Sequence, residues 1–183
     1  MNTLDRRSFI MKTSALSAAI AGTTTTNLNA QEPPLEEGMF VVGPVKGYTP
    51  MIGTLVSMLN YNRQTIINMV KGFSKEQLDF LLDKNANSIG ALLLHLGATE
   101  KYYQINTFEG RQDFNDEEKK IWESAMELGD AGRRDIKGHD VKYYLDIIEG
   151  VRQKTLDELK KKDDAWLLAI DPEWSKKEPL NTF

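Results

Sequence analysis

The sequence contains no cysteine among its 183 residues and only two histidines. Without cysteine the chain has no disulfide bonds, no zinc or iron–sulfur site held by thiolates, and no thiol nucleophile. The formal net charge is -4, with a pI of about 5.3. This balance leaves no overall basic surface that could neutralise phosphates, so a nucleic-acid partner is not expected.

Long apolar runs are also missing from most of the chain. Beyond residue 30, no apolar run reaches the roughly 18–20 residues that a helix needs to cross a bilayer. We therefore expect no stable membrane span after processing. Hydrophobic residues nevertheless make up 40% of the sequence, which is enough for one domain with its own core.

The first 30 residues have the pattern of an export signal. Residues 6–10 read Arg-Arg-Ser-Phe-Ile, and a moderately apolar stretch follows as far as Gly22. This resembles a twin-arginine signal peptide and predicts a periplasmic location. Cleavage after Ala30 is favoured and Ala21 is a competing site; the alternative is an unprocessed cytosolic arm. Glycine and proline then mark residues 31–47 as an extended linker, and residues 48–183 as the folded domain.

Apolar residues recur every three or four positions in the folded domain, which predicts helices. Ser74 and Gln77 form a capping-box pattern, Asn87 or Ser88 is suited to cap the third helix, and Asp140 is suited to cap the last long one. The predicted helices cover residues 51–73, 75–82, 89–108 and 140–161, with a short apolar run at 165–170.

Two further expectations concern packing. The charged segment 112–137 is interpreted as a long connection across the bundle, with a weak helical patch at 117–128 and a polar stop at 129–132. The helix over residues 89–108 is expected to bury one apolar stripe. The residues of that stripe are Ile89, Leu92, Leu93, Leu96, Tyr103 and Phe108.

One stretch of this helix carries a family resemblance. Residues 87–96 read Asn-Ser-Ile-Gly-Ala-Leu-Leu-Leu-His-Leu, and residues 100–103 add Glu-Lys-Tyr-Tyr. This pattern resembles the second-helix signature of the DinB/YfiT-like proteins, and the resemblance extends over residues 48–183. It implies an all-α fold, an up-down-down-up four-helix bundle in which the fourth helix is missing or incomplete in this chain.

The resemblance also implies one divalent metal ion, such as zinc or nickel, held by three histidines. One comes from the second helix and two, at i and i+4, from the fourth. His95 matches the first ligand, but no histidine follows His139. Three explanations stay open: a truncated chain, which we favour, completion by a second chain as in a homodimer, or loss of the metal site. His139 precedes the predicted helix over 140–161, so we expect it to be a surface or capping-region residue. Glu100 follows His95 by five positions, so we expect it to point away from the face of the helix that carries His95.

Two functional hypotheses follow. By resemblance, the complete protein is an exported metal-dependent enzyme of transferase or hydrolase type, in which a metal-bound water or thiolate is the nucleophile. The alternative is a non-catalytic periplasmic binding or structural bundle that has lost the metal site. A shared fold alone is weak support for either, since one fold can host many functions. The small-molecule ligand stays open at this level.

Overall fold

The computed structural model describes residues 38, 40–170 and 179–183. The predicted signal peptide and the first part of the predicted linker lie outside these residues. The described chain folds into seven helices. They are α1 (Pro50–Val70), α2 (Lys75–Asp79), α3 (Ile89–Glu109), α4 (Asp116–Glu127), α5 (Gly129–Asp135), α6 (Val141–Leu159) and α7 (Asp164–Leu168).

Helix α3 is the centre of the bundle. It packs most extensively along α6, with α4 and α2 also against it, while α1 contacts α6 and α7. Within the described ranges there is no strand, and an isolated antiparallel bridge joins Ile170 to Asn181. The all-α prediction is confirmed, and the arrangement is consistent with a DinB-like bundle. None of the described helices is long and apolar enough to cross a membrane.

The helix starts follow the capping chemistry of the sequence. Ser74 and Gln77 form the predicted capping box, and the Asp140 side chain accepts from the Tyr143 amide at 2.9 Å. Ser88 caps α3 by accepting from the Ala91 amide at 3.1 Å. Each cap satisfies an amide that the first turn would otherwise leave unpaired. The neighbouring Asn87 instead accepts from the Gly129 amide and so ties the start of α3 to the α4–α5 junction.

The interpretation of residues 112–137 as a connection is wrong in part. The segment contains two helices, α4 and α5, and the predicted stop at 129–132 is the first turn of α5. The helical conformation is interrupted at the junction between α4 and α5, where Leu128 and Gly129 both have positive φ. Asn115 and Glu118 form a capping box for α4, and Trp122 and Ala125 bury its inner side. A cap and two buried residues are enough to stabilise α4 because α3 supplies the surface against which it packs.

The expected apolar stripe of α3 is also wrong in part. Leu93 is buried, but Leu92, Leu96 and Tyr103 are 43%, 40% and 62% exposed. Small residues form much of the buried face instead, among them Ala91, Gly97 and Ala98. A Cβ added to Gly97 would lie 3.1 Å from the Ile148 side chain on α6, so the absence of a side chain lets the two helices approach closely. Large apolar residues beside this face therefore stay at the surface.

The core divides into two clusters. One surrounds the fully buried Tyr144 and joins α3, α4 and α6. The other joins α1, α6 and α7 through Ile52, Val56, Leu159 and Leu167. Helices α1 and α3 thus both pack against α6. The side chains that enclose the candidate site come from these three helices.

Candidate functional site

His95 lies on α3 and is held in one orientation by α4. Its Nδ1 is 2.8 Å from the carbonyl oxygen of Ala125, and its Nε2 is 3.4 Å from the Thr99 hydroxyl oxygen. A carbonyl oxygen can only accept, so Nδ1 carries the proton and donates. Nε2 then has a free lone pair, toward which the Thr99 hydroxyl can donate. The ring is half-buried and its tautomer is fixed by the fold.

This geometry suits a metal ligand, although it is not a metal site by itself. Histidine ligands commonly donate their other ring N–H to a carbonyl or carboxylate, which orients the ring and leaves the second nitrogen for the metal. His95 satisfies that requirement with Ala125. Among the residues that the structure describes, however, no group of three or more His, Cys, Asp or Glu side chains comes together. The described part of the chain thus fits one ligand and does not supply a complete ligand set.

A cavity of about 320 Å³ reaches the residue that contacts His95 but is not lined by His95 itself, and we call it the apolar cavity. Thr99, the partner of His95 Nε2, is part of its wall. The remaining wall is mostly apolar, and α1, α3 and α6 all contribute to it. Its apolar residues include Leu55, Leu59, Leu96, Phe108 and Leu159. The volume is in the range of small-molecule pockets.

Polar side chains also line the apolar cavity. Gln104 is almost fully buried, and its Nε2 donates to the Thr155 hydroxyl at 2.9 Å and to the Val151 carbonyl at 2.7 Å. Its Oε1 has no hydrogen-bond partner in the described part of the chain. A buried acceptor without a donor is costly, so a bound molecule with an O–H or N–H group at this point would be favoured.

Glu100 lines the apolar cavity and belongs to a buried ion cluster. Its carboxylate accepts from Arg63 Nη2 at 2.8 Å and from Arg152 Nε and Nη2 at 2.7 and 2.9 Å. The Thr155 hydroxyl donates a further hydrogen bond to it at 2.6 Å. These four bonds hold the carboxylate, in agreement with the expectation that Glu100 does not face the ligand side of His95.

Sequence reasoning missed the two arginines of this cluster. Arg63 and Arg152 are each only 8% exposed, although arginine is rarely buried unless it is paired. A signal was present in the sequence. Arg63 falls within the apolar stripe of α1, between Leu59 and Val70, and Arg152 falls between Ile148 and Leu159 on α6. A charged residue at a position of the apolar stripe of a helix indicates a buried ion pair.

The electrostatics of the cluster are unbalanced. Burial lowers the pKa of Arg63 below its ordinary value, and the nearby positive charge of Arg152 lowers it further, while Glu100 and Glu149 act in the opposite direction. The direction is still downward, so these carboxylates do not fully offset burial and like-charge repulsion. A second cavity, of about 420 Å³, is lined by both arginines.

His139 is separate from this region in role and surroundings. It is exposed immediately before α6, and its ring stacks on Tyr143 with 3.7 Å between ring centroids. The prediction of a surface or capping-region residue is confirmed. Of the two histidines, His95 alone combines partial burial with a fixed tautomer.

The comparisons with known proteins agree with this fold. A comparison with curated proteins gave no match. A comparison with protein families matched residues 54–181 to the family described as Mycothiol-S-transferase, which covers more than two thirds of the chain. The matched region includes most of α1 and the whole of α2 through α7, and so His95, Arg63, Glu100 and Arg152. The chain therefore belongs to the mycothiol-S-transferase family, a DinB-like family of metal-dependent, transferase-type enzymes.

Proposed function

We propose that this protein is a thiol-dependent transferase in which His95 is one ligand of a divalent metal ion. The observation that carries the proposal is the fixed tautomer of His95. The Nδ1 hydrogen bond to Ala125 leaves the Nε2 lone pair as an acceptor, and Nε2 lies 3.4 Å from the hydroxyl of Thr99, a residue of the apolar cavity's wall. The family name supplies the thiol as substrate class. The other ligands of the ion would come from outside the described residues.

The apolar cavity is the proposed substrate site. Its leucines and Phe108 favour the apolar part of an acceptor molecule, while the unpaired Gln104 Oε1 favours a hydroxyl or amide N–H. Within the site, the Ala125 carbonyl fixes the imidazole, and Thr99 both contacts Nε2 and lines the cavity. The chain's own residues would thus orient the ligand nitrogen and bind the substrate next to it.

The experiment is a thiol-consumption assay. Purified protein supplied with zinc or nickel is mixed with mycothiol and an alkylating electrophile, and the rate of S-conjugate formation is measured. His95→Ala should abolish the enzymatic rate. Leu59→Trp, which fills the apolar cavity, should lower it about tenfold or more by excluding substrate. The matched control is Met69→Trp on the same helix, where the side chain is 69% exposed; it should keep the wild-type rate.

Two outcomes would contradict the proposal. A folded protein that consumes no thiol with either metal would favour the non-catalytic binding bundle. Equal loss of activity in Leu59→Trp and Met69→Trp would remove the apolar cavity as the substrate site.

We further propose that the protein is exported. The support is the twin-arginine pattern at residues 6–10 and the small residue at Ala30. Expression of the full chain should yield a periplasmic form whose intact mass corresponds to cleavage after Ala30. Replacing both Arg6 and Arg7 with lysine should retain the uncleaved chain in the cytoplasm. A periplasmic form of this variant in undiminished amount would contradict a twin-arginine route.

A further inference from the structure

The Glu100 cluster contains more positive than negative charge. Two guanidinium groups, from α1 and α6, converge on one carboxylate from α3. The side chains of Arg63, Arg152 and Glu100 are 8%, 9% and 14% exposed. Because water screens these charges poorly, the second positive charge has little compensation from solvent.

Each arginine also has one nitrogen that donates no hydrogen bond within the described part of the chain. Nη1 of Arg63 and Nη1 of Arg152 are buried, and neither has a hydrogen-bond partner among the described residues. Buried polar groups in native proteins are nearly always paired, and an unpaired donor on a charged group is especially costly. Two such atoms in one cluster point to a missing acceptor with negative charge.

A cavity adjoins the two residues that carry these donors. The cavity of about 420 Å³ is lined by both arginines, and we call it the arginine cavity. Ser57, Asn60 and Gln64 on α1 add hydroxyl and amide groups to its wall. Glu149 on α6 also lines it, but this carboxylate is exposed and so more strongly screened by water. The wall thus combines two buried arginines with neutral hydrogen-bonding groups and one exposed carboxylate.

We infer that the arginine cavity binds the oxyanion group, carboxylate or phosphate, of a small molecule. Guanidinium groups match such oxyanions because their planar N–H donors can form paired, charge-assisted hydrogen bonds. A bound oxyanion would supply the negative charge that the two arginines lack. The volume admits a small molecule rather than an ion alone. This inference rests on the arginine pair and the cavity, and it holds independently of metal binding and thiol transfer.

The test is a titration of the purified full-length chain by isothermal calorimetry and by thermal unfolding. Inorganic phosphate and succinate are the two probes, each compared with sodium chloride at equal ionic strength. At least one probe should bind saturably and raise the unfolding temperature, because a ligand that binds only the folded state stabilises it. Binding of phosphate alone or of succinate alone identifies the oxyanion.

Variants locate the binding. Arg63→Lys keeps the positive charge but loses the planar guanidinium group with its paired N–H donors, and should weaken binding by about tenfold or more. Asn60→Trp fills the cavity from an exposed wall position and leaves the three residues of the ion cluster unchanged, so it should block binding even if Arg63→Lys folds poorly. Arg134→Lys is the control, because Arg134 is 68% exposed and paired with Asp135. It should bind like wild type.

The inference is overturned if neither probe binds saturably to the folded wild-type protein. It is equally overturned if Asn60→Trp and Arg134→Lys bind with wild-type affinity, since binding would then lie elsewhere on the surface. Because no metal or thiol is present in the titration, failure here is distinguishable from failure of the proposed transferase activity.

Discussion

Arg152 on α6 donates two hydrogen bonds to Glu100 on α3, from Nε to Oε1 at 2.7 Å and from Nη2 to Oε2 at 2.9 Å. This paired contact joins the two helices that pack most extensively against each other. Arg63 extends the contact to α1. One carboxylate thus connects the three long helices of the bundle.

The first prediction concerns that carboxylate. Glu100→Gln removes the negative charge and leaves both buried arginines uncompensated, so it should lower the free energy of unfolding by about 3–5 kcal/mol. Urea denaturation followed by circular dichroism measures the change. The control is Glu117→Gln, because Glu117 and its partner Lys120 are both well exposed, at 81% and 68%. An exposed pair contributes little, so this variant should be close to wild type. Equal stability of the two variants would show that the cluster does not stabilise the fold.

The second prediction concerns a close approach at α1. A Cβ added to Gly53 would lie 2.6 Å from the backbone nitrogen of Val45 and 3.0 Å from its carbonyl oxygen. Gly53→Ala should therefore displace the segment before α1 and cost about 1–3 kcal/mol, as overpacking does. Gly150→Ala is the control on α6, where nothing lies within 4 Å of the added atom. It should stabilise the protein by about 0.5–1 kcal/mol through helix propensity. Destabilisation by both substitutions would argue against the close approach.

The third prediction is a pH dependence at the start of α1. Thr49 precedes this helix without a side-chain cap of its own, and Asp164 on α7 caps it instead. The Asp164 carboxylate accepts from the Thr49 hydroxyl and from the amides of Met51 and Ile52. These bonds, that from Thr49 foremost, hold the pKa of Asp164 below its ordinary value of 3.8.

The direction in which stability changes with pH follows from that lowered pKa. Asp164 stabilises the folded state fully at pH values above about 4, where it is ionised in the folded and unfolded chains alike. The contribution is lost as the pH falls through the lowered pKa of the folded state. Asp164→Ala should therefore have a lower melting temperature than wild type at pH 7, and the difference should shrink in strong acid. Asp157→Ala, at a 53% exposed position on α6, is the control. A difference in melting temperature that stays constant with pH would contradict the capping role of Asp164.

Local chemistry made the long helices predictable from sequence. Ser74, Ser88 and Asp140 cap the helices they were expected to cap, because capping depends on residues only two or three positions apart. Helix α5 was missed because Gly129 and Gly132 disfavour a helix locally. Packing overrides that preference here, since Gly132 is buried and lies close to α4 and α3.

The candidate site was predictable only in part. His95 was predicted as a ligand because its residue type and helix phase match a known signature, and this stays a prediction. Arg63 and Arg152 were not, because a single sequence shows that a charge lies within an apolar stripe but not which distant carboxylate it meets. Glu100 lies 37 positions from Arg63 and 52 from Arg152. Both cavities likewise depend on how separate helices come together, with the segment before α1 also lining the arginine cavity, and no local pattern encodes this.

The measurement that tests the account most directly is the metal content per chain of the purified, folded protein, by elemental analysis after supply of zinc or nickel. His95→Ala and His139→Ala are prepared in parallel, and circular dichroism verifies that each is folded. The account predicts about one divalent ion per chain in wild type. That ion should be retained in His139→Ala and lost in His95→Ala. A folded wild-type protein without metal, or a His95→Ala variant that keeps it, would contradict a site built on His95.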